Sequence, residues 1–215
     1  MKCGLVFFKY ARTHKQKMLT SEPATPALIW QIKEAHNPFY RMGRFLLLVV
    51  MTWLSWKLIF SPIDYWQGNM AARSFLHNIN LPFHEFGHIL FQPFGDYMQS
   101  LGGSLGQLLM PLICFVALLW KTRDAFGAAV ALWWFGESFL DMVSYINDAG
   151  SLTMPLLGGN EGRSSPYGFH DWEYILTEIG LLHIHLGLAK TVHALGSILM
   201  ISSLIWMLLL LHQKK

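Results

Sequence analysis

The chain has 215 residues, of which 53% are hydrophobic and 13% charged, with a mean hydropathy of +0.34. Soluble domains of this length do not ordinarily carry so much apolar and so little charged sequence, so a lipid bilayer is the expected surrounding. The net charge is +3 and no nucleic-acid partner is expected; Cys3 and Cys114 stand far apart without paired spacing, which leaves no disulfide framework or thiolate zinc site. Any metal must therefore be held by nitrogen and oxygen.

Residues 1–44 are a basic segment. Its short apolar run is interrupted by Lys9 and lacks a small-residue cleavage site, so it reads as retained and suited to the cytoplasmic side or an anionic leaflet. Residues 45–215 read as an all-α, membrane-embedded domain. A crossing needs about 20 helical residues, and four apolar segments qualify: Phe45 to Phe60, Leu101 to Trp120, Ala125 to Ile146 and Leu188 to Leu211.

Between the first two lies FHEFGHIL, 83–90, with Pro82 expected in the first turn of a helix, Asn80 as a nearby cap and Pro93 ending it. That gives a half-length, partly inserted helix of about ten residues, roughly 15 Å. The basic residues gather before the first span, at Lys121 and Arg123, and at Lys214 and Lys215. Four spans put all three groups on one side, giving a multi-pass protein of bacterial inner-membrane type with cytoplasmic termini. A continuous helix from Met70 to Phe91, bent at Pro82, is the five-span alternative. Further on, 150–168 is rich in Gly, Pro, Ser and Asn and reads as a loop, after which Asp171 caps a helix from Trp172 to about His185.

His84 and His88 are four residues apart and share a helical face, so both imidazoles can reach one cation, with Glu85 beside them. The H-E-x-x-H pattern uses two histidines and a third ligand to hold zinc, leaves a position open for water, and gives the proton to the glutamate. Ionisable residues within an apolar segment need such a partner. The third ligand is first sought in Asp148, at the end of the third apolar span. Rivals are Glu137 and Asp141, one turn apart within that span, and His170, which is also suited to orienting a ligand or touching substrate. Gln107, in LGGSLGQLLMP, is a group able to hold a scissile carbonyl or its oxyanion. His183, His185 and His193 read as interhelical polar contacts.

FHEFGHIL, then GGSLGQLLMP, then NDAG at the edge of a later span resembles the site-2 protease group of intramembrane zinc metalloproteases. The resemblance covers about Leu81 to Gly150. It implies His84, His88 and Asp148 as zinc ligands, Glu85 as general base and acid, Gln107 in the role of a substrate-supporting Asn, and a membrane protein or peptide as substrate. The HDW stretch, 170–172, has no counterpart in that pattern. The residues also allow a zinc hydrolase acting on a lipid or small amphiphile, or a non-catalytic metal-binding or transport protein in which Glu137 and Asp141 line a path. The oligomeric state is left open.

Overall fold

The computed structural model describes residues 28–30, 32 and 37–213, so most of the basic segment and the last two lysines lie outside the described residues. Among the described residues the regular elements are helical, and a single isolated bridge joins Pro155 to Glu161. Six α-helices follow in order: α1 Pro38–Ile59, α2 Phe75–Phe91, α3 Asp96–Val116, α4 Ala125–Asp148, α5 Asp171–Glu178 and α6 His185–Leu211.

Local chemistry sets the boundaries. Asn37 caps α1, its side chain accepting from Phe39 N at 3.0 Å, with Pro38 in the first turn where no amide donor is missed. The helix thus starts earlier than the apolar run beginning at Phe45. Ser74 caps α2 by accepting from Leu76 N at 3.1 Å. Pro82 therefore does not open this helix but lies within it, and Asn80 is an interior residue. The ring of Pro82 is on an exposed face and leaves the Asn78 carbonyl without its helical donor. At 17 residues α2 is about 25 Å long, longer than half a bilayer and short of a full crossing. Gly95, at φ +94°, makes the tight reversal into α3 that a side chain would resist.

Among the described residues three helices are long and apolar enough to cross a membrane: 38–59, 96–121, where a π turn extends α3, and 182–211, where a 3-10 turn precedes α6. Helix α4 has 24 residues but is not among them, because Glu137 and Asp141 interrupt its apolar sequence. It is instead the buried centre of the bundle. Its Phe126, Trp133 and Leu140 pack with Met51 and Leu58 of α1 and with Met200, Met207 and Leu210 of α6. Glycines bring backbones together where helices cross: Gly136 lies against Gly196, and Gly87 against Gly102 and Gly106. The apolar residues that face outward, such as Trp53, Trp56, Ile89 and Ile198, suit lipid contact.

The helix expected from Trp172 to His185 is shorter. Gly180, at φ +71°, follows the end of α5, and a short 3-10 turn, 182–184, leads into α6. His170 rather than Asp171 is its cap: His170 Nδ1 accepts from Glu173 N at 3.2 Å. Asp171 becomes the first helical residue, its carboxylate released from capping.

Candidate metal centre

His84 and His88 extend from one face of α2, and the close crossing with α3 gives each ring a partner on its inner nitrogen. His84 Nδ1 lies 3.4 Å from Gln107 Oε1, and His88 Nδ1 lies 2.8 Å from the carbonyl oxygen of Gln99. Both acceptors lack hydrogens, so each ring presents N–H there and turns its Nε2 to the other side. Outer partners of this kind fix the tautomer and aim of metal-binding histidines.

Both Nε2 atoms converge on one oxygen of α5. Asp171 Oδ2 is 3.2 Å from His84 Nε2 and 3.4 Å from His88 Nε2. Two atoms bound about 2.0–2.1 Å from a tetrahedral zinc stand about 3.3 Å apart, so this spacing fits one shared ion. Space is kept for it by Gly103 of α3. A Cβ there would stand 2.5 Å from His84 Nε2 and 2.6 Å from His88 Nε2, inside the site itself. Glu85 stands beside this group, its ligand-type atom and those of both histidines lying within 4.8 Å of one another.

Asp171 is held by its surroundings as an anion. Burial alone would raise its pKa, but hydrogen bonds from His84 and His88 outweigh that and hold the carboxyl below the usual carboxylate range. Its backbone N–H donates to Tyr145 Oη at 3.0 Å, fixing the start of α5 to α4. The Tyr145 ring lies tilted against His170 with centroids 4.2 Å apart, and it makes an edge contact with the His84 ring at 6.3 Å.

The other residues singled out in the sequence take different places. Asp148 is not brought to the two imidazoles; its oxygens accept from Ser151 Oγ at 2.5 Å, Thr153 N and Oγ1 at 3.0 Å each, and Met154 N at 2.9 Å. It clasps the start of the glycine-rich loop, and His170 Nε2 sits 3.5 Å from its Oδ2. His170 therefore links loop, α4 and α5, with Nε2 toward Asp148 and Nδ1 at the start of α5 rather than at the two imidazoles. Glu137 and Asp141 form a polar layer behind the site. Asn80 Nδ2 donates to Glu137 Oε2 at 3.0 Å and to Asp141 Oδ2 at 3.2 Å, while Trp134 Nε1 donates to Asn80 Oδ1. Gln107 joins that layer, donating to Asp141 Oδ2 at 2.8 Å while its Oε1 meets His84, and it also lines the cavity beside the two histidines.

The centre opens on two sides. A cavity of about 550 Å³ is walled by Leu81, Met142, Met154, Leu156, Leu157 and Phe169 and reaches the two histidines, Glu85 and Asp171. A second space of similar size, lined by Asp96, Gln99, Ser100, Tyr167 and Tyr174, meets Glu85, His88 and Asp171 from the other side. Compared with protein-family models, curated proteins and solved structures, the chain gives no match.

Proposed function

We propose that the chain is an integral membrane hydrolase that uses a zinc ion held by His84, His88 and Asp171 to cleave a peptide bond in or beside the bilayer. The observation that carries this reading is the convergence of two Nε2 atoms and a carboxylate oxygen at 3.2 and 3.4 Å over a glycine floor. Two nitrogens and one oxygen suit zinc, although other divalent ions accept the same donors. When bound, the cation supplies Lewis acidity to a carbonyl oxygen and to water. Glu85, beside the donors and open to both spaces, accepts the proton from water and returns it to the leaving amine. The polar space on the Asp96 side is the route for water, and the apolar cavity receives the substrate.

This keeps the chemistry of the site-2 protease group that the sequence resembles, with Asp171 in the position that the resemblance gave to Asp148. Topology follows from the same reading. Helix α4 is the fourth crossing, wrapped by the three apolar helices so that Glu137 and Asp141 face protein, and α2 is inserted without crossing. Both termini then lie on the cytoplasmic side with the basic clusters. A lipid or small amphiphile is the second reading, favoured by the apolar cavity wall.

The test is hydrolysis by detergent-purified, zinc-loaded protein against a peptide library and a panel of phospholipids. Wild type is expected to cut peptides, and Glu85→Gln to bind zinc without cutting. Cleavage confined to lipids would replace the first reading with the second, and undiminished cleavage by Glu85→Gln would refute the role of Glu85.

A further inference from the structure

One more imidazole faces the apolar cavity and takes no part in the metal centre. His77 stands two turns before His84 on α2, about 10 Å along the helix axis, and both line the same space. Its Nδ1 lies 2.9 Å from Asp141 Oδ1, and its side chain is 35% exposed. Asp141 is nearly buried, and its other oxygen accepts from Asn80 at 3.2 Å and Gln107 at 2.8 Å.

The bond to Asp141 outweighs burial and holds the pKa of His77 above its ordinary value, so Nδ1 is the donor in that pair. Among the described residues no protein group bonds His77 Nε2. The same bond favours a hydrogen on Nε2 too, making His77 a donor toward the cavity. Ala72, Leu81 and Met142 give the same cavity apolar wall, and its acidic groups besides Asp141 are Glu85 and Asp171 at the metal centre. Such a donor selects an acceptor, and a charged acceptor forms the stronger bond.

We propose that His77 is a specificity-determining residue that recognises a carboxylate side chain on the substrate. This rests on the peptide-hydrolase reading above. An extended peptide advances about 3.3 Å per residue, so a ligand anchored at the metal centre meets His77 about three residues away. Asp141 and the Asn80 amide hold the imidazole in place, and the metal donors play no part in that contact. The preferred substrate carries Asp or Glu at that distance from the cut.

The experiment uses peptide hydroxamates on zinc-loaded wild-type protein in detergent. The hydroxamate anchors the metal end. Two series carry it at the C-terminal or the N-terminal end, with a single Glu or Gln placed at each of the first four positions. In one series, Glu at the third position is expected to bind about tenfold tighter than Gln, the gain of one charge-assisted bond. His77→Gln should remove that difference and leave zinc content and affinity for the Gln peptides unchanged. Equal affinity of Glu and Gln peptides in both wild-type series overturns the inference, as does a preference that survives in His77→Gln, and the wild-type comparison decides even if the variant does not fold. Failure of every hydroxamate to bind zinc-loaded protein sinks the peptide-hydrolase reading, and this inference with it.

Discussion

Gly103→Ala separates the metal centre from the fold. The new Cβ would lie 2.5 Å from His84 Nε2 and 2.6 Å from His88 Nε2. An ordinary carbon to nitrogen contact is about 3.5 Å, so both rings must retreat by roughly 1 Å or the methyl group takes the position of the ion. Zinc sites hold their ligands to within about 0.2 Å, and loss of an outer partner alone costs 10- to 100-fold in affinity. Displacing two ligands at once is expected to cost at least about 100-fold, or about 2.7 kcal/mol. The same change replaces a helical glycine by alanine, which favours α3 by about 1 kcal/mol, so metal-free protein should remain helical. Zinc titration against a competing chelator reads the affinity, with circular dichroism as the control for folding. Wild-type zinc affinity in a folded Gly103→Ala protein would refute the placement of the ion between the two imidazoles.

Gln107→Leu removes the acceptor that holds His84 and should lower zinc affinity 10- to 100-fold in the same titration, with Glu85 untouched. Asp148→Ala frees the loop at 150–168 and should speed its cleavage by an added protease, read by mass spectrometry, while zinc stays bound. For metal-free protein, the carboxyl of Asp171 titrates below its unfolded value because its bonds to the imidazoles outweigh burial. It therefore adds stability that is complete above the ordinary carboxylate pKa near 4 and is lost as pH falls through the lower folded value. Denaturant midpoints followed downward from pH 5 should fall more steeply in wild type than in Asp171→Asn. Parallel curves would remove the ionised carboxylate from the account.

The apolar helices were legible because length and composition alone mark them, and the 83–90 stretch because a four-residue spacing on a helix is a geometric fact independent of tertiary contacts. The edges of α2 were not. Pro82 looks like a helix start, and only the fold reveals that Ser74 caps the helix and that the proline ring has open space. Asp171 was hidden for a related reason: an acidic residue ahead of an apolar run reads as a cap, and nothing in the sequence says that His170 takes that task. The chain separates Asp171 from His88 by two helices and a loop, so their meeting is purely tertiary. The available signal was the HD pair following a glycine-rich loop. Tyr145 gave no signal, since an aromatic residue in an apolar helix ordinarily means packing. Glu137 and Asp141 stood out as costly mid-helix acids, and their partners Asn80, His77 and Gln107 come from other helices.

Zinc per chain, measured by elemental analysis of detergent-purified wild type, Asp171→Ala and Asp148→Ala, tests the third ligand most directly. About one equivalent in wild type and Asp148→Ala with loss in Asp171→Ala is the predicted result. Zinc retained in Asp171→Ala and lost in Asp148→Ala would contradict it.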